Sequence, residues 1–191
     1  MHALIEREYE IEKFKTDCYW YFLGDFNDFD DVRLYKSGTV YKVPDIDTAR
    51  SMASITKVMT AIVVLEADQD LNQLIKYYNV KLTRRELIEI ALVKSDNHAA
   101  DLLCKHYPNG YRDCIDNMNI TARMFGMTNT TYADATGLLS TNTTTASDLL
   151  KLLNAAERYP LIVEASKKNK VEILIRKHWF VFNNTNPLIG Q

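Results

Sequence analysis

Apolar residues recur at steps of three and four between residues 53 and 66, which is the clearest helical pattern in the chain. The recurring positions are Ile55, Val58, Met59, Ile62 and Leu65. This spacing lines the apolar side chains along one face, and the unbroken apolar run over residues 61–65 leaves little polar surface. The pattern predicts a largely buried helix over residues 53–66.

Four further helices are predicted downstream of this segment. Thr83 and Glu86 form a Thr-x-x-Glu capping box in front of a helix that ends at residues 94–97. A second helix begins at His98, directly after the polar Ser-Asp-Asn of residues 95–97. The other two helices are predicted over residues 114–125, ended by a glycine, and 149–158, ended by Pro160.

Strand patterns stand at both ends of the chain. Residues 18–23 are rich in aromatic side chains and residues 32–35 alternate, which predicts a first hairpin. Residues 171–175 and 178–182 predict a second hairpin, turned at Arg176-Lys177. Strands at both ends with helices between them indicate an α+β fold. Residues 3–15 fit a short amphipathic helix or an extended lead-in.

Length and charge narrow the class of protein. A chain of 191 residues suits a single domain, here 1–191 with a mostly helical lobe over 53–160. A net charge of −2 gives no reason to expect nucleic acid as a partner. No apolar stretch approaches the roughly 20 residues of a transmembrane helix, and the first residues contain no secretory apolar region, so no signal peptide is visible.

Cysteine and histidine usage predicts neither a disulfide framework nor a metal site. Cys104 and Cys114 could pair, but two reduced thiols in the core are the expectation for three scattered cysteines. The histidines lack the spacing of metal ligands and are His2, His98, His106 and His178. No cofactor is predicted.

Ser54 and Lys57 are the first candidate for chemistry. Residues three apart on a helix are neighbours, about 5–6 Å apart at Cβ. A lysine partly stripped of water titrates low enough to take the proton of a serine hydroxyl, and a helix N-terminus offers free N–H groups to an oxyanion. The alternative for an isolated Ser-x-x-Lys is an N-cap serine followed by a solvated lysine.

Several short motifs in a fixed order favour a catalytic role for Ser54 and Lys57. Residues 53–57 (ASITK) are followed by 59–61 (MTA) and by 92–100 (LVKSDNHAA). Further matches are Met118-Asn119, Ala122, Gly126-Met127, Asn129-Thr130, Gly137-Leu138, Thr145-Ala146, Asp148-Leu149 and Asn184-Thr185-Asn186. Over residues 19–186 the chain resembles the penicillin-binding D-alanyl-D-alanine carboxypeptidases, whose superfamily includes the β-lactamases.

The resemblance implies a β-lactamase/transpeptidase-like fold, with a helical lobe inserted in an antiparallel sheet. It implies a serine-type hydrolase of the cell wall that acts on peptidoglycan stem peptides as a carboxypeptidase or endopeptidase and binds β-lactams. Ser54 would be the nucleophile and Lys57 its base, while Ser95 would relay a proton and Asn97 would hold the substrate backbone. The alternatives are a catalytically weak or inactive relative with a binding or structural role, such as a virion component, and a β-lactamase.

One motif of the family is absent from the sequence. The family's Lys-Thr-Gly strand normally follows an Asn-Thr-Asn segment, and this chain contains no Lys-Thr-Gly. The expectation is therefore a C-terminally incomplete domain, whose open sheet edge takes a partner chain or a segment beyond Gln191. The family acts in the periplasm or cell wall, and the missing signal peptide fits delivery by another route, for instance in a phage particle.

Overall fold

The computed structural model describes residues 21–23, 33–36, 39–42 and 47–186. The chain divides into two compact units, Met1–Asp47 with Gln191 and Thr48–Gly190, and each is described by itself. The helix or lead-in predicted over residues 3–15, and the first residues of the strand predicted from residue 18, lie outside the described residues. The prediction of a single domain stays a prediction.

The first unit contains a three-stranded antiparallel sheet in the order β1-β2-β3. Its strands are β1 (Tyr21–Leu23), β2 (Arg33–Lys36) and β3 (Thr39–Lys42). Phe22 is paired with Leu34, and Tyr35 with Val40. The predicted hairpin of the first two strands is confirmed over the described residues, and β3 adds a third strand that the pattern did not predict.

The second unit is built around α1 (Thr56–Glu66), which contacts four other helices. These are α2 (Arg84–Val93), α3 (Asn97–Lys105), α4 (Tyr111–Met124) and α5 (Ala146–Ala156). A sixth helix, α6 (Pro160–Ser166), packs against α2. The apolar side chains of α1 are among the most deeply buried of the core, including Met59, Ile62 and Val64. The predicted central helix is therefore confirmed, except that it begins at Thr56 after a 3₁₀ turn at Ala53–Ile55.

Side-chain caps fix where three of the helices begin. The capping box before α2 is complete, with the Glu86 amide donating to Thr83 Oγ1 at 3.1 Å and the Thr83 amide donating to Glu86 Oε2 at 2.6 Å. Asp96 caps α3 by accepting from the Ala99 amide at 2.8 Å. Thr145 caps α5 by accepting from the Asp148 amide at 3.1 Å.

Three two-stranded antiparallel pairs complete the unit. β4 (Arg50–Ser51) pairs with β7 (Thr143–Thr144), and β5 (Leu74–Tyr77) pairs with β6 (Val80–Thr83). β8 (Lys170–Ile175) and β9 (His178–Asn183) form the predicted second hairpin. Its turn residues Arg176 and Lys177 both have positive φ, as a two-residue type I′ hairpin turn requires. The small antiparallel sheets and the helices confirm the α+β class.

Several helix boundaries differ from the sequence prediction: α3 begins at Asn97 rather than His98, and α5 covers Ala146–Ala156 rather than 149–158. Two further differences have local reasons. Pro160 opens α6 rather than only ending the helix before it, because the fixed φ of proline suits the first helical position. The helix predicted from Cys114 begins at Tyr111, after Gly110 at φ +94°. No described helix combines the length and apolar composition that crossing a bilayer requires.

The expectation of two reduced core thiols is wrong. Cys104, near the end of α3, and Cys114, in the first turns of α4, are joined in a disulfide, and both side chains are fully buried. The two helices meet at a corner of only five residues, 106–110, which brings positions ten apart in sequence close together. Sequence spacing alone did not reveal this corner.

This disulfide predicts the thiol count of the purified protein. Denatured protein kept free of reductant should react with one equivalent of a maleimide, and with three after reduction, because the chain has three cysteines. Cys104→Ser should lower the free energy of unfolding by about 2–3 kcal/mol under oxidising conditions, the loop-closure value for a short loop. Three reactive thiols in oxidised, denatured protein would contradict the pairing.

Candidate active site

Ser54 and Lys57 lie side by side where the 3₁₀ turn runs into α1. Lys57 Nζ is 2.9 Å from Ser54 Oγ. The Ser54 residue is exposed, whereas Lys57 is only 2% exposed, so a buried amine reaches up to a hydroxyl at the surface. Ala53, directly before the serine, has φ +45°, a conformation that non-glycine residues seldom adopt. Ser54 and Lys57 are therefore neighbours, as predicted, but the serine lies on a 3₁₀ turn rather than on a regular helix.

Lys57 has a second partner that the sequence did not reveal. Its Nζ donates to the backbone carbonyl of Thr136 at 2.7 Å, across 79 residues of chain. Burial lowers the pKa of Lys57 from 10.5 to about 8, although the Asp134 and Asp96 carboxylates act in the opposite direction. A lysine with this pKa is neutral for a useful fraction of the time near neutral pH, which is the condition for a general base.

The loop that carries Thr136 is fastened to the segment in front of Ser54. β7 pairs with β4 three residues before the serine, and the Met52 amide donates to the Asn142 carbonyl at 3.1 Å. Thr60 on α1 donates to the Ala135 carbonyl at 2.8 Å. These contacts hold the loop beside the first turns of α1.

The Ser-Asp-Asn segment forms the turn between α2 and α3. Ser95 is half-buried with φ +56°, and Asn97 is the exposed first residue of α3. Asp96, between them, caps α3, and together with burial it raises the pKa of Tyr77. The Asp96 carboxylate also acts to raise the pKa of Lys57, so the Ser-Asp-Asn turn lies near that lysine. Asp96 therefore has a structural role in the Ser-Asp-Asn turn.

Within the described part of the chain, hydrogen bonds connect two of the four predicted site residues to each other. Ser54 and Lys57 share a hydrogen bond, while the hydrogen bonds between described residues do not link the Ser95 hydroxyl or the Asn97 amide to either of them. The roles of Ser95 and Asn97 stay predictions. Sequence reasoning gave the Thr136 carbonyl no role in the site, although the Asp-x-x-Gly pattern at residues 134–137 is a turn signal.

An aromatic cluster flanks the Ser-Asp-Asn turn. The His98 ring lies 5.4 Å from the Tyr77 ring and 4.4 Å from the Tyr78 ring, measured between centroids. Burial raises the pKa of Tyr77, with Asp96 adding to the shift. These tilted ring contacts give His98 a packing role. Among the residues that the structure describes, no group of three or more metal-binding side chains occurs.

Comparison with known proteins identifies D-alanyl-D-alanine peptidases as relatives. The family model described as D-alanyl-D-alanine carboxypeptidase matches residues 68–191. The D-alanyl-D-alanine endopeptidase of Escherichia coli is 37% identical over 161 residues, which are 75% of this chain and 52% of the relative. The endopeptidase of Pseudomonas aeruginosa is 33% identical over 173 residues, 81% of this chain and 56% of the relative. The chain thus spans about half the length of the curated relatives that it matches.

Solved structures give the same result for the fold. The D-alanyl-D-alanine carboxypeptidase of Mycobacterium tuberculosis superposes with a TM-score of 0.69 at 26% identity, over 81% of this chain and 64% of that structure. A cefotaxime-bound penicillin-binding protein of Listeria monocytogenes gives 0.66 at 26% identity, over 80% of this chain and 70% of that structure. The resemblance drawn from the motifs is confirmed. With its family model matched over residues 68–191 and its fold shared with these structures, the chain belongs to the D-alanyl-D-alanine carboxypeptidase family.

Proposed function

We propose that this chain is a serine-type D-Ala-D-Ala carboxypeptidase or endopeptidase that cleaves peptidoglycan stem peptides through an acyl-enzyme on Ser54. The observation that carries the proposal is the buried Lys57 amine held 2.9 Å from Ser54 Oγ, whose pKa burial lowers to about 8. The names of the relatives, D-alanyl-D-alanine endopeptidase and carboxypeptidase, supply the class of substrate.

The proposed first step forms an ester on the serine. The lone pair of neutral Lys57 takes the Ser54 proton as Oγ attacks the carbonyl carbon of the penultimate D-Ala. A tetrahedral oxyanion forms, and its collapse breaks the C–N bond to the leaving residue. The leaving amine receives a proton from the Lys57 ammonium, with Ser95 as the relay. Asn97 binds the substrate backbone in this scheme.

The second step releases the product. Water attacks the ester carbonyl and its proton passes to Lys57, which returns that proton to Ser54 Oγ as the Ser54–acyl bond breaks. The products are a carboxylic acid, which ionises, and a restored serine. β-Lactams enter by the same first step, since their strained amide opens onto the serine while the leaving nitrogen stays tethered. The cefotaxime-bound relative supports this part of the proposal.

The β8–β9 hairpin supplies the third part of the proposal. Its inner face packs on α2 through Val171 and Ile173, which are buried. Within the described residues these two strands pair only with each other. On the outer face Leu174, Trp179 and Val181 are 56%, 65% and 49% exposed.

We propose that a further strand carrying Lys-Thr-Gly binds along the β9 edge. Such a strand would pair with the outward backbone groups and cover part of the apolar outer face. In the family pattern this strand provides a cation for the substrate carboxylate and a second oxyanion donor. Loss of one oxyanion donor typically costs about 10²–10³ in turnover.

The acyl-enzyme predicts site-specific labelling by a fluorescent penicillin. The wild-type protein should gain one penicillin mass, Ser54→Ala none, and Lys57→Arg none, because arginine keeps the charge but cannot deprotonate. Ser51→Ala is the matched control, an exposed serine three residues away on β4 that should label normally. An adduct that persists in Ser54→Ala would contradict the assignment of the nucleophile.

The environment of Lys57 predicts a direct titration. Lysine labelled with ¹³C at Cε should show one resonance, assigned by its absence in Lys57→Arg, that titrates near 8 while exposed lysines titrate near 10.4. The low value arises because burial penalises the ammonium. A Lys57 resonance that titrates with the exposed lysines would remove the base from the mechanism.

The open edge predicts binding of a strand supplied in trans. A synthetic peptide that carries the family's Lys-Thr-Gly strand should slow hydrogen exchange at the Trp179 and Val181 amides and accelerate acylation, unlike a scrambled peptide. These amides point away from β8, because the pair that flanks a two-residue turn is the hydrogen-bonded one. Val181→Pro removes one outward donor and should abolish the effect. If the peptide changed neither the hydrogen-exchange rates of these amides nor the acylation rate, this part of the proposal would be contradicted.

A further inference from the structure

The loop that presents the Thr136 carbonyl is shaped by one carboxylate. Asp134 Oδ1 accepts hydrogen bonds from the Thr136 amide at 2.9 Å and the Gly137 amide at 2.6 Å, and Oδ2 accepts from the Leu139 amide at 2.8 Å. Asp134 is 8% exposed. The two amides bound to Oδ1 belong to the peptide units on either side of Thr136, so the carboxylate fixes the direction of the carbonyl between them.

Asn142 ties the same carboxylate to the start of α1. This fully buried side chain donates from Nδ2 to Asp134 Oδ1 at 3.1 Å and to Thr56 Oγ1 at 3.0 Å. Its Oδ1 accepts from the Ala133 amide at 2.7 Å and the Asp134 amide at 3.1 Å. The loop and the helix that carries Lys57 are therefore joined by a closed set of hydrogen bonds.

Gly137 lets the loop lie directly on the turn of the nucleophile. Its φ is +82°, and a Cβ added there would be 1.8 Å from the Ala53 carbonyl oxygen and 2.9 Å from Thr56 Oγ1. Any side chain would push the loop away from the residue that precedes Ser54. The distance between Lys57 and the Thr136 carbonyl thus depends on a contact that only glycine permits.

We infer that Asp134 is a positioning residue for acylation, which holds the Thr136 carbonyl so that the Lys57 amine points its lone pair at Ser54 Oγ. A neutral amine has two N–H groups and one lone pair, and it turns freely about its Cε–Nζ bond. When one N–H donates to the Thr136 carbonyl at 2.7 Å, rotation about the Cε–Nζ bond is restricted. The lone pair can then point toward Ser54 Oγ, which lies 2.9 Å from Nζ. The inference rests on the proposed roles of Ser54 and Lys57.

The charge of Asp134 gives this role a separate signature. Burial alone would raise the pKa of Asp134, but the hydrogen bonds from Gly137, Leu139 and Thr136 outweigh it and lower that pKa, so the carboxylate stays ionised. The charges that act on Lys57 are those of Asp134 and of Asp96 on the α2–α3 turn, and both raise the lysine pKa. Removal of the Asp134 charge must therefore lower the pKa of Lys57 below about 8.

The test compares Asp134→Asn with Asp148→Asn. Asp148 is a matched control, because it is fully buried and binds the Asn129 amide at 2.8 Å and Thr130 Oγ1 at 2.9 Å, away from Thr136. In folded Asp134→Asn, the plateau rate of β-lactam acylation should fall by about 10- to 100-fold, the effect of a misplaced catalytic group. The acid limb of the pH profile and the ¹³C titration of Lys57 should both move to lower pH. Folded Asp148→Asn should keep the rate and the titration.

The outcomes separate a positioning role from a structural one. Wild-type rate and an unshifted Lys57 titration in folded Asp134→Asn would overturn the inference, as would equal changes in Asp148→Asn. If wild-type protein is not acylated at all, the proposed function fails, while the Lys57 titrations of wild type and Asp134→Asn still test the loop.

A second pair of variants decides the matter if Asp134→Asn does not fold. Thr136 Oγ1 accepts from the Leu138 amide at 3.1 Å, and the same hydroxyl contributes to the lowered pKa of Asp134. Thr136→Ala keeps the carbonyl but loses both interactions, so acylation should slow about threefold or more, the equivalent of one hydrogen bond. Thr136→Ser keeps the hydroxyl and should restore the rate. Equal rates in wild type, Thr136→Ala and Thr136→Ser would overturn the inference.

Discussion

The rest of this structure depends on one buried amine with two partners. Lys57 Nζ binds Ser54 Oγ on one side and the Thr136 carbonyl on the other, and it is almost completely shielded from water. A buried ammonium is costly, so burial favours the neutral form and lowers the pKa to about 8. The carboxylates of Asp134 and Asp96 oppose this shift, which leaves the lysine able to gain and lose a proton near neutral pH.

The fold serves this arrangement by bringing distant segments to one end of α1. The helix supplies the lysine, the 3₁₀ turn supplies the serine, and the loop before β7 supplies the carbonyl. The β4–β7 pair and Asn142 fasten the loop to the serine side, while the capped α2–α3 turn adds a second charge. These supports explain how an exposed serine can stand beside a buried lysine.

Sequence periodicity was sufficient for the parts of the molecule that rest on local patterns. The central helix, the capping box at Thr83 and Glu86 and the last hairpin follow from apolar spacing and turn residues. The Thr136 carbonyl was not predictable, because a backbone acceptor has no sequence signature and its partner lies 79 residues away. The Cys104–Cys114 disulfide depends likewise on a tertiary corner. The strands β5 and β6 were not predicted from the sequence, because three of the four residues of β5 are apolar and do not alternate regularly with polar ones.

The central claim is that the amine which titrates near 8 is the group that activates Ser54. The most direct measurement is the pH dependence of the β-lactam acylation rate, set against the titration of Lys57 in the same protein. The account predicts a rate that rises with pH through a single ionisation whose midpoint coincides with that of Lys57, because only the neutral amine accepts the serine proton. A rate that is flat through this range, or that follows an ionisation separate from Lys57, would contradict the account.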